Sequence, residues 1–302
     1  MRRAALKRQA APAAKRREVV AVETPPPGHW VGDGFPVRTM LSYDREPAAS
    51  SPFLLLDYAA PAEFPPSPQR HGVGEHPHRG FETVTIAYQG EVEHRDSAGN
   101  RGRIGPGDVQ WMTAASGVLH EEFHGREFTK RGGVFEMAQV WVNLPAKHKM
   151  SKPRYQDLPS SRIPEVELPN GGGALRVIAG EALGAKGPAR TFTPVEMWDL
   201  SLRPGGVADL VLPDGHTGIL LVTRGPVVVN ETGPIPTEHL VRLDRSGTAF
   251  RVASEGAARV LVLGGEPILE PVAGQGPFVM NTRAELLEAV RDFQAGRFGE
   301  LK

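Results

Sequence analysis

The chain has 302 residues, 40% of them hydrophobic and 23% charged, with 35 Gly, 28 Pro and no Cys. Its 35 Lys and Arg balance 35 Asp and Glu, so no global field recruits nucleic acid or an anionic membrane. Without thiols any bound metal must rest on imidazole and carboxylate, the lack of Cys fits a reducing cytosol, and no run approaches the ~18 apolar residues of a membrane span.

The chain opens on MRRAALKRQAAPAAKRREVV, which is basic and Ala-rich and lacks the apolar segment of a secretory signal. A transit peptide and a nucleic-acid arm are competing readings; the favoured one is a disordered, solubilising tail over residues 1–24. ETPPPGHW then forms an entry loop, because consecutive prolines exclude helix and sheet interior. Strand-and-turn patterning follows: FLLLDYA as a buried strand, FETVTIAYQGEVEHRD as two strands about a Gly turn, GRIGPGDVQWMTA as a turn into an alternating strand, and VFEMAQVWVNLP as another.

The polar, Pro- and Gly-rich segment KHKMSKPRYQDLPSSRIPEVELPNGGG reads as a connection between domains, giving expected units at 25–155 and 156–302. A second β-rich series, from ALRVIAG to ARVLVLGG, repeats the strand rhythm of the first but not its letters. The expected fold class is therefore all-β, as two antiparallel barrels. The end of the chain changes character. Thr282 and Glu285 form a capping-box pair, Leu286, Leu287, Val290 and Phe293 make an apolar stripe, and Gly296 supplies a helix stop. This amphipathic helix is expected to pack on a barrel.

Six of the ten histidines fall between His71 and His124: His71, His76, His78, His94, His120 and His124. In Glu75-His76-Pro77-His78 the imidazoles stand two apart, and residues two apart on a strand share a face. His120-Glu121-Glu122 repeats that spacing with a carboxylate. Three nitrogens and one carboxylate suit an octahedral first-row ion with two positions free. A lone histidine is more often a surface or hydrogen-bonded core residue; it is the pairing of two such doublets that argues for ligands. Glu82, four residues after His78 and counted at the same parity, is an equally admissible carboxylate on these grounds.

HPHRGFETVT, PGDVQWMTA, GVLHEE and WVNLP resemble the pirin family of the cupin superfamily, and EPILEPVAGQGPFVMNTRAELLEAVRDFQAGRFG resembles the end of bacterial pirins. The resemblance spans roughly residues 25 to 302. It implies a bicupin of two stacked antiparallel barrels, with metal in the first only. The ligands it implies are His76, His78, His120 and Glu122, which favours Glu122 over Glu82. The general cupin pattern places Asn four residues after its histidine; here that position is His124, so the chain departs from the general pattern and keeps the pirin one.

The resemblance implies one divalent ion, with iron(II) favoured over nickel, cobalt, copper, manganese or zinc. It also implies a quercetin 2,3-dioxygenase-like activity on a flavonol and O2; in such a reaction Glu122 is expected to take the hydroxyl proton, because a carboxylate on a metal is close enough to act. The alternative it implies is a non-catalytic, metal-binding regulator that docks protein partners. A cytoplasmic monomer is expected, without direct nucleic-acid or membrane contact. Glu82 is expected to orient a ligand imidazole and Arg79 to sit in a surface salt bridge. Trp111 and Met112 are assigned to the core, and Phe123 and His124 to the cavity entrance.

Overall fold

The computed structural model describes residues 15–301. The first half holds a seven-stranded antiparallel sheet in the spatial order Arg154–Leu158, Val109–Thr113, Phe81–Gln89, Gly133–Asn143, Phe53–Phe64, Phe35–Ser42, His29–Val31. Facing it is a four-stranded sheet of Gly72–His78, Val118–His124, Val92–Asp96 and Arg101–Ile104. The second half repeats the plan with seven strands and four. The fold is all-β as expected, but the facing sheets remain separate, so each half is an open two-sheet sandwich where an antiparallel barrel was expected.

Packing follows from alternation. In Phe81–Gln89, Val84 and Ile86 project toward the other half and join a core with Ile219, Leu221, Leu261 and Leu263 of the second large sheet. The intervening Thr85 projects the other way, toward the small sheet that carries the histidines. Both faces are covered, so the strand is buried from Phe81 to Tyr88 with no exposed phase. The two large sheets thus pack back to back, and each small sheet closes its own half.

The halves exchange their ends. Of the expected tail, residues 1–14 lie outside the described residues, whereas Val19–Glu23 is a strand paired with Leu240–Leu243 on the second large sheet. The first sheet also runs past the expected boundary at 155, through Arg154–Leu158. The C-terminal helix, Arg283–Gln294, has the expected capping box but packs on the first half, where Leu286 and Ala289 meet Leu119, Phe278 and Phe298. Leu287 and Phe293, expected in its buried stripe, are 47% and 40% exposed. No helix among the described residues is long and apolar enough to cross a membrane.

This helix fixes the end of the histidine strand. Arg79 is buried: its Nη1 pairs with Asp292 at 2.9 Å, its Nε donates to the Ser116 carbonyl, and its guanidinium lies over the Phe298 ring. The expected surface salt bridge is therefore an interior one. Gly80 follows at φ +93°, where a Cβ would stand 1.9 Å from the Val279 carbonyl oxygen. Buried Lys149 donates to the Gly80 and Val279 carbonyls and to Asn143 Oδ1, tying that turn to the C-terminal segment.

Candidate metal centre

Strand pairing brings the two sequence doublets together. His76 lies opposite His120 in the antiparallel pair of Gly72–His78 with Val118–His124. The ring centroids of His76, His78 and His120 are separated by 4.2 to 4.9 Å, and one nitrogen from each falls within 4.8 Å of the others. His78 and His120 are buried, and His76 is half-buried. Burial holds His78 and His120 well below the ordinary imidazole range, with the neighbouring rings adding to the effect, so both stand neutral, as ligation requires.

The hydrogen bonds around the rings sort their nitrogens. His76 Nδ1 meets the Gly74 carbonyl at 2.8 Å, which leaves its Nε2 free. His120 Nδ1 faces His94 Nδ1 at 3.4 Å, and His120 Nε2 is buried with no partner. His78 Nδ1 is likewise buried and unpartnered, while the Pro277 carbonyl accepts from the same ring. Buried polar atoms rarely go unsatisfied, and a cation is what two orphaned imidazole nitrogens beside a third ring would accept. The residues present fit a divalent metal ion.

Glu122 joins this group less tightly. A register shift between His120 and Glu122 displaces the carboxylate, which lies across from His94 on the neighbouring strand. At the 4.8 Å spacing it groups with His120 and His94, not with His76 and His78. Its Oε1 accepts from Thr85 Oγ1 at 3.3 Å and its Oε2 from Gln139 Nε2 at 3.1 Å, and Thr85 also donates to Gln139 Oε1 at 2.5 Å.

Glu82 faces away. Its carboxylate accepts from Thr113 at 2.6 Å and from Arg154 at 3.4 Å, in the interior between the large sheets, and burial raises its pKa against those bonds. Counting parity from His78 to Glu82 fails because the Gly80 turn separates two strands, so the alternation restarts at Phe81. Glu82 therefore orients no ligand ring. Trp111 and Met112 are core, as expected. His124 is not at an entrance: it is buried, stacked on Phe135 at 4.6 Å, with Nε2 on the Gly34 carbonyl. Phe123 sits on the outer face of the small sheet beneath Arg70, and His71 pairs with Asp33 near the surface.

Three contributors were not singled out from the sequence. His94 stands behind His120, its Nε2 3.4 Å from Asp96 Oδ2. Burial alone would raise the Asp96 pKa, but hydrogen bonds from His94 and Asn100 outweigh it and hold it low. The spacing His94-Arg95-Asp96, again two apart, was the available signal. Thr85 and Gln139 lie on large-sheet strands with no chemical motif to mark them.

An apolar cavity of about 260 Å³ opens beside the rings. Val31, Phe35, Val37, Val73 and Met137 line it with Trp141, which stacks on Phe81 at 4.3 Å and meets His78 edge-on. Its polar lining is Asp57 and Gln139 from the large sheet and Glu122 from the small sheet that also carries the histidines. A wider groove of about 570 Å³ on the outer face of the small sheet is lined by arginines and glutamates and reaches none of His76, His78 or His120.

Residues 34–142 match the sequence profile of Pirin, and residues 197–299 that of the Pirin C-terminal cupin domain. A Pseudomonas aeruginosa protein provisionally named a quercetin 2,3-dioxygenase is 54% identical, over 89% of this chain and 94% of its own. A pirin-like protein of Solanum lycopersicum is 39% identical over 89% of this chain and 88% of its own. Among solved structures, a quercetin 2,3-dioxygenase from Acinetobacter baumannii superposes with a TM-score of 0.92 at 52% identity, covering 95% of this chain and 99% of that one.

Proposed function

The chain belongs to the pirin family, and from that premise we propose that it is a metal-dependent oxygenase that opens a flavonol such as quercetin with O2. The observation that carries this reading is the meeting of orphaned imidazole nitrogens with an apolar cavity of about 260 Å³, close to the lower bound of the ~300–1,000 Å³ usual for small-molecule sites. The names borne by its relatives supply the substrate class. We assign the ligands to His76, His78, His120 and Glu122, and we favour iron(II), since such a nitrogen and oxygen set suits an octahedral first-row ion.

When bound, the metal supplies Lewis acidity that stabilises an oxyanion on the substrate. The chain's own residues do the rest of the positioning. Trp141, Phe35 and Met137 offer flat, apolar surface to an aromatic ring and keep water from it. Thr85 and Gln139 hold the Glu122 carboxylate in one orientation. His94, braced by Asp96, restrains the His120 ring. A cavity reachable past half-buried His76 supports catalysis over a sealed, purely structural metal.

The test is direct. Protein loaded anaerobically with one equivalent of ferrous ion is mixed with quercetin and then with O2, and the flavonol absorbance is followed. Loss of the flavonol band at a rate proportional to bound iron is expected. A stable band with iron fully bound would sink the enzyme reading.

A further inference from the structure

A lone pair that Glu122 gives to a metal is not available to a proton, so a second carboxylate at the cavity would separate the two tasks. Glu122 Oε2 accepts from Gln139, and Glu122 Oε1 shares the single Thr85 hydroxyl proton with Gln139 Oε1, the nearer acceptor. One strand beyond Gln139 on the large sheet stands a second carboxylate. Asp57, on Phe53–Phe64, lies opposite Gln139 on one side and Thr39 on the other. Alternation sends its neighbours Leu56 and Tyr58 into the core between the large sheets and Asp57, with Ala59, toward the cavity. Its Oδ1 accepts from Thr39 Oγ1 at 2.6 Å. Among the described residues its Oδ2 has no hydrogen-bond partner, and the side chain lines the cavity.

We propose that Asp57 is the proton acceptor of the site, taking through Oδ2 the proton of an acidic hydroxyl on a planar aromatic substrate seated against Trp141. This deepens the oxygenase reading and rests on it for the substrate class. In the step, the substrate O–H bond breaks, the proton joins Asp57 Oδ2, and the electron pair stays on the substrate oxygen, which becomes the oxyanion. An aspartate with one neutral hydrogen-bond donor in an apolar cavity has its charged form disfavoured by lost hydration, and burial accordingly raises the Asp57 pKa, opposed by the Thr39 bond and by His29. His29 on one flank and His76, His78 and Glu122 across the cavity are the other titratable groups around it. Asp57 would otherwise be a carboxylate lining a largely apolar cavity with no ion-pair partner among the described residues, a costly arrangement for a purely structural residue.

The probe is 4-nitrocatechol, an acidic phenol that changes colour on ionisation, added anaerobically to nickel(II)-loaded protein at a pH where the free probe is protonated. The wild type should bind it with the spectrum of its anion. Asp57→Asn should keep one equivalent of nickel and lose the anion spectrum; with iron and quercetin its turnover should fall about 10²–10⁴-fold, the usual worth of a positioned base. Thr39→Val, which keeps the carboxylate and removes its donor, should move the acid limb of the ionisation curve to higher pH. Equal ionisation of the probe by wild type and Asp57→Asn, an unmoved acid limb in Thr39→Val, or no binding of the probe to the wild type would each overturn the assignment. Asp57-dependent ionisation without any quercetin turnover would instead leave Asp57 its role and sink the flavonol reading.

Discussion

Replacing Gln139 with Leu isolates how the protein holds Glu122, the carboxylate proposed as a ligand. Gln139 Nε2 donates to Glu122 Oε2 at 3.1 Å, and Gln139 Oε1 accepts from Thr85, whose hydroxyl reaches Glu122 Oε1 at the longer distance of 3.3 Å. Hydrogen bonds to a charged group contribute about 1.5–3 kcal/mol. Gln139 is half-buried, so water replaces part of the loss, and Thr85 remains in place. Loss of a group that orients a ligand typically lowers metal affinity about 10–100-fold. The single variant should fall near the lower end, and Thr85→Val/Gln139→Leu near the upper. Nickel(II) affinity measured by competition with a coloured chelator reads this directly, with the melting temperature of the metal-free protein as a control for folding. A folded Gln139→Leu protein that binds nickel within twofold of the wild type would refute the claim that these bonds position Glu122.

The remaining expectations concern the surrounding frame. Asp292→Ala strands the buried Arg79 guanidinium, whose side chain is only 5% exposed; breaking such a pair costs about 3–5 kcal/mol, and chemical denaturation should show it together with weakened nickel binding through neighbouring His78. Gly80→Ala forces a side chain into the Val279 carbonyl at positive φ, and a loss of about 1–3 kcal/mol or more is expected in the same assay. The metal-free protein should weaken in acid. Burial holds His78 and His120 well below 6.5 and His124 down to about 4, so the unfolded chain takes up these protons first. Stability from keeping them neutral is complete above about pH 6.5 and is lost as pH falls, with His124 alone worth about 3 kcal/mol by pH 4. Urea titrations from pH 7 to 4 should show that slope, shallower in His124→Gln; a flat profile would contradict it.

The clustering of the histidines was legible because a strand has a two-residue period, and HPH and HEE each keep it within one strand. The same rule misled at Glu82, since the count was carried across the Gly80 turn. The C-terminal helix was legible from Thr282 and Glu285, but the partner of its apolar face was not: helix periodicity says which side is buried and nothing about which half of the molecule buries it. For the same reason Arg79 read as a surface residue, its partner Asp292 lying more than two hundred positions away. Val19–Glu23 was hidden by the basic residues before it, although VVAVE alternates in burial as an edge strand does. Gln139 and Asp57 reach the cavity, and Thr85 reaches Glu122, only through cross-strand register, which is set by long-range pairing.

The account stands on where the cation sits. A crystal soaked in nickel(II), measured at the nickel absorption edge, should give a single anomalous peak about 2.0–2.2 Å from His76 Nε2, His78 Nδ1 and His120 Nε2, with a Glu122 oxygen completing the set. A peak bounded by His94, His120 and Glu122 with His76 and His78 left free, or none in this cavity, would contradict it.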